Sequence, residues 1–345
     1  MMSKLRLATW NIEWFAHLFD QQDHLLSDSK PSRRHRTSRA EQAEAIALVI
    51  DRLDADLLMI IEAPNTGHTQ RTTRALETFA ATYDLRQTAA VMGFANHTHQ
   101  EIAALYDPSR VAPVHTPMAS EQAPQFDQTF PLDIDVDAQP DTHSFSKPPL
   151  ELTVSGAGLT APLHLIGVHA KSKAPPKSAK GSEAVRISIA NRRKQLAQCI
   201  WLRRRVDAML DRGLHTLVLG DLNDGPGLDG YEKLFGRSSI EVVLGDGAKP
   251  ERQLFDPHAQ AWLNPRQGWT LSTARFYHRS YQRYVNALLD YIMVSSDVRA
   301  AYRPRWRIWH PFDEPRIYAD HPLRDALLTA SDHFPVSLEL HLKTG

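Results

Sequence analysis

Six short stretches of the sequence carry side chains suited to work on a charged ester. In Trp10-Asn11-Ile12-Glu13, Asn11 and Glu13 lie two residues apart and so point to the same side of an extended chain. An amide and a carboxylate placed that way can hold a hard cation or position a water on it. Glu62 directly follows the apolar run Leu57–Ile61, where a carboxylate either pairs at the surface or ligates a metal. In Gly220-Asp221-Leu222-Asn223-Asp224-Gly225, Asp221 and Asn223 again share a face. Such a carboxylate can take a proton from water while the amide donates to a phosphate oxygen. Asp224-Gly225-Pro226-Gly227 reads as the turn that follows. Asp290 stands alone inside Leu288–Val294, and a buried lone charge needs a partner. His333, in Ser331-Asp332-His333-Phe334-Pro335, can be that partner. An Asp–His pair fixes the imidazole tautomer and favours its protonated, phosphate-binding form. Asp320-His321-Pro322 repeats the dipeptide but precedes a helix-like stretch, and is read as loop. Last, His169 opens a basic loop with Lys171, Lys173, Lys177 and Lys180, a set that suits an anionic ligand.

These residues sit at the ends of short apolar runs. The clearest are Leu5–Trp10, Leu57–Ile61, Ile102–Tyr106, Leu150–Val154, Leu163–His169, Thr216–Gly220, Leu288–Val294 and Val336–Leu342. Several are almost continuously apolar, as expected of strands buried on both faces; the last alternates, as a half-buried strand does. Ser38-Arg39-Ala40-Glu41 reads as a capping box opening a helix with Ile46, Val49, Ile50 and Leu53 on one face. A second helix is predicted from about Glu183 to Leu210, with Gly213 as its stop. There is no internal repeat or heptad seam, and the Pro-rich stretches read as loops. One α/β domain spanning 1–345 is expected, with insertions near 14–40 and 113–149. The second insertion carries Glu121, Asp127, Asp133, Asp135, Asp137 and Asp141 and no Lys or Arg between them, and is read as a solvated surface excursion.

Composition narrows the class. With 345 residues, 42% hydrophobic and 23% charged, a large core is possible and wholesale disorder is excluded. The 40 Lys+Arg balance 40 Asp+Glu, which argues against a uniformly basic nucleic-acid coat but leaves room for a basic groove. The single cysteine, Cys199, excludes a disulfide framework and a Cys-based zinc cluster. No run approaches the ~18 apolar residues of a membrane span. The chain opens straight into a strand pattern, so a cytoplasmic protein is the expectation.

Taken in order, Trp-Asn-x-Glu, apolar strand–Glu, strand–His, Gly-Asp-x-Asn, Leu-Asp-Tyr-Ile and Ser-Asp-His-x-Pro resemble the exonuclease–endonuclease–phosphatase superfamily. That group includes pancreatic deoxyribonuclease, the apurinic/apyrimidinic endonucleases, neutral sphingomyelinases and inositol-polyphosphate 5-phosphatases. The resemblance runs from Leu7 to about Leu340. It departs from the common pattern at Ile61, where Gln is usual, and at Glu13, where many members have Asp.

The resemblance implies a four-layer α/β sandwich, two mixed β-sheets packed face to face with helices outside. It implies Mg²⁺, with Mn²⁺ as a substitute, held mainly by Glu62 with Asn11, Glu13 and Asp332. Asp221 would orient or deprotonate the attacking water and Asn223 would hold a phosphate oxygen. His333, oriented by Asp290, and His169 would bind the non-bridging oxygens. Lys171 and Lys173 would stand on the substrate rim. The substrate remains open among three readings. A nuclease acting on DNA or RNA is favoured by two basic segments: Lys30–Arg39, and Arg299–Trp309, where Arg303, Arg305 and Arg307 alternate with Tyr302, Trp306 and Trp309; a solvated arm for the first and a core-packing loop for the second are equally open. The second reading is a phosphoesterase for phospholipid or small phosphate esters. The third, a non-catalytic binder, predicts loss of Glu62, Asp221, Asp290 or His333, and all four are present. A nucleic-acid substrate is the expected partner, and no obligate protein partner is evident.

Overall fold

The structure is a computed structural model, described here for residues 4–134, 141–156, 158–176, 178–227, 236–263, 271–278 and 282–342. Lys177, Asp135 and Asp137 lie outside the described residues. The strands in chain order are β1 (Lys4–Asn11), β2 (Leu57–Ala63), β3 (Ala89–Met92), β4 (Glu101–Tyr106), β5 (Val111–His115), β6 (Phe130–Leu132), β7 (Asp141–His143) and β8 (Leu150–Gly156). They continue as β9 (Leu163–His169), β10 (His215–Asp221), β11 (Leu254–Phe255), β12 (Ala274–His278), β13 (Arg283–Ala287), β14 (Asp290–Ser295), β15 (Arg305–Ile308) and β16 (Val336–His341). The helices are α1 (Arg39–Leu53), α2 (Thr72–Thr82), α3 (Gly181–Asp211), α4 (Ser239–Leu244), α5 (Pro257–Leu263), α6 (Ser296–Tyr302), α7 (Pro315–Ala319) and α8 (His321–Ala330).

Among the described residues, two six-stranded sheets dominate. One runs β15-β16-β1-β2-β4-β3 and the other β11-β14-β10-β9-β8-β5. Both are mixed: β1 pairs parallel with β2 and antiparallel with β16, while β10 pairs parallel with β9 and antiparallel with β14. Side-chain alternation sorts the core into three apolar layers. Leu5, Leu7, Met59 and Ile61 meet Leu165, Leu217 and Ile292 between the sheets. Ala8, Trp10, Leu58 and Ile60 face α1, α2 and α8. Ile166, Val168, Val218 and Met293 face α3 and α4. Helices, sheet, sheet, helices is the expected four-layer sandwich. Gly167 allows the close approach of the sheets, since a Cβ there would stand 2.4 Å from Met59 Sδ.

The predicted strands are present, and the second helix extends slightly past its expected ends. Ser38 and Glu41 form the capping box of α1. Among the described residues no helix is long and apolar enough to cross a membrane. One expectation needs correction. The 113–149 insertion is not a solvated excursion: Phe126, Phe130 and Phe145 are buried around Trp201 of α3, with Phe130 stacked on it at 5.1 Å. Arg205, also from α3, pairs with buried Glu151 and donates to the carbonyls of Ala123 and Pro124. The acidic residues obscured an aromatic anchor spaced too irregularly to read as an element. Of the two readings open for Arg299–Trp309, the core-packing loop holds: Tyr302 and Trp309 are buried, and Trp306 and Trp309 donate to Ile292 O and Ser337 Oγ.

Candidate active site

Strand register brings the predicted residues to one edge of the sandwich. Asn11 ends β1 opposite Ile61, next to Glu62, because β1 and β2 run parallel. His169 ends β9 directly beside Asp221 at the end of parallel β10. Asp221 also faces Asp290, the first residue of antiparallel β14. The segment before β16 is pinned to β1 by Ser331, whose hydroxyl donates to Asn11 O and accepts from Glu13 N and His333 N. Trp10 Nε1 donates to His333 O at 2.9 Å. At Gly220 (φ +135°) a Cβ would stand 2.1 Å from Val168 O, so glycine is needed for β10 to approach β9 just before the site. Glu62 sits at a β-bulge with φ +64°, a conformation costly for a non-glycine residue, and the bulge re-aims its side chain out of the strand's alternation.

The resulting groove has two adjoining lobes. One, about 780 Å³, is lined by Trp14, His17, Asn65 and Gln70 among others. The other, about 420 Å³, is lined by Lys147, His169, Lys171, Asp221 and Asn223 among others. Asn11, Glu62 and His333 border both.

His333 Nδ1 lies 2.8 Å from Asp290 Oδ2, so the expected pair forms. Thr273 Oγ1 donates to the same oxygen at 2.8 Å and accepts from Asp290 N, holding the carboxylate in place. Burial works against the charged ring, but the Asp290 charge and hydrogen bond, with Asp221 and Asp332 nearby, lift its pKa well above the usual imidazole range. Asp221 accepts from Asn11 Nδ2 (3.0 Å), Asn223 N (2.8 Å) and Asn223 Nδ2 (3.2 Å). Burial raises its pKa to about 7, with Asp290 adding to the rise and His333 opposing it. His169 Nε2 is 3.7 Å from Asp221 Oδ2. Burial, then Lys147, His333 and Lys171, push the His169 pKa well below normal, so this imidazole is neutral. Lys147 Nζ lies 3.1 Å from His169 Nδ1. An ammonium can only donate, so Nδ1 accepts and the proton resides on Nε2, facing Asp221.

Two clusters compete as an ion site. Asp221, Asp290 and His333 bring ligand atoms within 4.8 Å of one another. His333 Nδ1 is already committed to Asp290 and the ring is held charged, so this cluster stores a proton better than it binds a cation. Next to that cluster, Asn11, whose Nδ2 donates to Asp221, has its Oδ1 buried without a hydrogen-bond partner. That orphaned oxygen, beside Glu62 and Asp332, is what a hard cation takes. Burial raises the Glu62 pKa against the charges of Lys147 and His333, and Gln100 Nε2 donates to it at 2.5 Å. The all-oxygen set fits Mg²⁺ or Mn²⁺.

The remaining expected residues divide. Glu13 borders the larger lobe but is paired with Arg34 from the 14–40 insertion, and its pKa is raised by burial and by Asp332 against Arg34. Arg34 also donates to the carbonyls of Leu328 and Thr329, so it is a clamp rather than part of a free arm. Asn223 donates its amide hydrogens to Ala170 O and Asp221 Oδ2. Lys171 lines the smaller lobe. Lys173 does not; it pairs with buried Asp224, whose other oxygen accepts from Ser239 N at the start of α4. His321 is exposed at the start of α8, and Asp320 caps that helix and pairs with Arg52. Sequence reasoning missed Lys147, Thr273, Gln100, and the α3 pair Gln195 and Gln198, which hold the loops at 171 and 223 by their backbones. Only the α3 pair left a trace, as two amides on a helix face otherwise directed at the core.

Residues 8–333 match the Endonuclease/Exonuclease/phosphatase family. The chain belongs to that family. Family members hydrolyse phosphoester bonds and are typically dependent on divalent metal. Among solved structures, truncated TDP2 from Caenorhabditis elegans is 14% identical with a TM-score of 0.51, over 98% of each chain. ANGEL2, a 2′,3′-cyclic phosphatase in complex with adenosine-2′,3′-vanadate, is 14% identical with a TM-score of 0.50, over 99% of this chain and 97% of that one. At such identities the likeness is one of fold. No curated protein matches the sequence significantly.

Proposed function

We propose that this chain is a Mg²⁺-dependent phosphodiesterase that cleaves a nucleic-acid strand by in-line attack of water. One observation carries the reading: a carboxylate poised near neutrality, Asp221, stands beside a buried, charged imidazole, His333, at the seam of a two-lobed groove. A general base works best with a pKa near the operating pH. Asp221, steadied by Asn11 and Asn223, takes the proton of the attacking water as its oxygen bonds to phosphorus and the bond from phosphorus to the leaving ester oxygen breaks; that oxygen leaves as an alkoxide and is protonated by solvent. His333, held by Asp290, donates its Nε2–H to a phosphoryl oxygen and neutralises charge as it develops. His169 offers its Nε2–H to a second oxygen. Glu62, Asn11 and Asp332 would hold the ion, with Glu13 in support through its pairing with Arg34. When bound, Mg²⁺ supplies Lewis-acid polarisation of the phosphoryl and leaving oxygens. The scissile phosphate lies at the seam, with Lys147 and Lys171 toward one neighbouring phosphate and Trp14, His17, Asn65 and Gln70 toward a nucleoside on the other side.

One observation favours a smaller substrate. Arg34 and Arg39 are taken up by Glu13 and Asp28, which leaves less basic surface for a polymer than the charge run suggested. A hydrolysis panel decides between them: single- and double-stranded DNA, RNA, abasic DNA, sphingomyelin, inositol phosphates and bis-p-nitrophenyl phosphate, each with Mg²⁺ and with EDTA. Metal-dependent cleavage of a polynucleotide is expected. Full activity in excess chelator would overturn the metal assignment, and turnover of a small ester alone would overturn the nuclease.

A further inference from the structure

The hairpin β12–β13 stands apart from both large sheets; its strands pair with one another, Tyr277 opposite Tyr284. Its root is part of the active site. Thr273, one residue before β12, hydrogen-bonds Asp290, and its carbonyl accepts from Phe334 N at 2.6 Å. Arg275 N donates to Asp332 O at 2.7 Å, and Ala274 bridges to His333. From there the strand carries its side chains outward, and at about 3.3 Å per residue Tyr277 lies about 13 Å beyond Thr273.

What the hairpin displays is unusual for a surface. Tyr277 is 52% exposed and Tyr284 55% exposed, their rings 5.5 Å apart. The Arg275 guanidinium lies 4.2 Å from the Tyr284 ring centre and 5.2 Å from that of Phe312, which is itself 42% exposed. Large rings so exposed gain nothing from the core, and a cation among them marks a surface for a partner that is both planar and anionic. From 274 to 287 the sequence, Ala-Arg-Phe-Tyr-His-Arg-Ser-Tyr-Gln-Arg-Tyr-Val-Asn-Ala, has no acidic residue. The two tyrosine rings meet edge to face, at 73°, and exposed rings with arginine and no acid are the composition that holds unpaired bases and their backbone.

We propose that Tyr277, Tyr284, Phe312 and Arg275 form a stacking platform for the unpaired bases of a single-stranded polynucleotide whose scissile phosphate occupies the groove. This deepens the nuclease reading and rests on it. The platform is continuous with the catalytic cluster through Thr273 and Arg275, so a strand leaving the groove meets it next. Tyr277 and Tyr284 are more than half exposed and support no core, so replacing them spares the fold.

The test uses the full chain with fluorescent oligo(dT), oligo(rU) and a hairpin duplex, with binding read by anisotropy in EDTA. The Tyr277→Ala/Tyr284→Ala variant is expected to bind the single strands about tenfold or more weakly. Its affinity for the duplex, whose bases are already stacked, and its hydrolysis of bis-p-nitrophenyl phosphate are expected to stay as in wild type. Tyr277→Phe/Tyr284→Phe keeps the rings and should retain wild-type binding. Arg275→Gln should lower the log–log salt slope for single strands by about 0.7. If wild type binds single strands and the double Ala variant binds them equally, the platform is refuted while the nuclease reading stands. Equal losses on duplex and single strand would refute stacking. A wild-type chain that neither binds nor cuts any polynucleotide refutes the nuclease reading and the platform with it.

Discussion

Asp290→Asn keeps the shape of the site and removes one charge. In the wild type, Asp290 Oδ2 is 2.8 Å from His333 Nδ1 and also accepts from Thr273, so the imidazolium is fixed in place and in charge. Without the carboxylate, burial acts on His333 unopposed by its nearest anion, and its pKa falls. At neutral pH the ring becomes neutral and free to turn. Loss of a preorganised donor costs about 10²–10³ in kcat, so both Asp290→Asn and His333→Ala should lose about that much. If the two act as one unit, the double variant should lose at most about tenfold more than either single one, whereas independent groups would multiply to about 10⁴ or beyond. Removing one partner of a buried pair also costs about 3–5 kcal/mol of stability, so turnover is to be read well below the melting midpoint of the weakest variant. The assay is kcat on bis-p-nitrophenyl phosphate together with ¹⁵N NMR of the His333 ring. The ring should be protonated at pH 7 in wild type and neutral in Asp290→Asn. Multiplicative losses, or a ring that stays protonated with full activity in Asp290→Asn, would refute the pairing argument. His321→Ala serves as the control and should be silent.

Lys147→Met should free the His169 tautomer, visible as exchange between the Nδ1–H and Nε2–H forms in ¹⁵N spectra, and should slow turnover; an unchanged His169 spectrum would show that the lysine does not set the tautomer. Arg34→Ala leaves Glu13 unpaired in a partly buried position and should cost about 1–3 kcal/mol in denaturant unfolding, whereas Arg33→Ala and Arg36→Ala should stay within about 0.5 kcal/mol; equal effects at the three positions would disprove the clamp. Glu101 is buried and its carboxyl is raised from 4.5 to about 7, against hydrogen bonds from Thr66 N and Asn96 N. The unfolded chain gives up this proton at lower pH than the folded one, so stability should fall as pH rises between those values. Glu101→Gln should flatten that fall, giving a higher Tm than wild type at about pH 8 and a similar one at about pH 4.5; parallel Tm-versus-pH curves would count against it.

The strands and the chemistry at their ends were legible because both follow short-range rules. Period-two alternation identified β16, continuous apolar runs identified β2, β9 and β10, and Ser38 with Glu41 announced α1. The lone Asp290 signalled a partner because a buried charge cannot stand alone, and His333 met it. Lys147 could not be read this way. It reaches His169 only because Phe126, Phe130 and Phe145 lock an acidic insertion onto Trp201, contacts that join residues more than fifty positions apart. Arg34 and Lys173 appeared available as charges, and folding spent them on Glu13 and Asp224. The sequence by itself determined which residue types exist at strand ends, since local periodicity and solvation fix where strands begin and stop. Beyond the Asp290–His333 pair, only the tertiary structure decided which of those ends meet and which charges remain for a substrate, because parallel register and ion pairing are settled by residues distant in the chain and close in space.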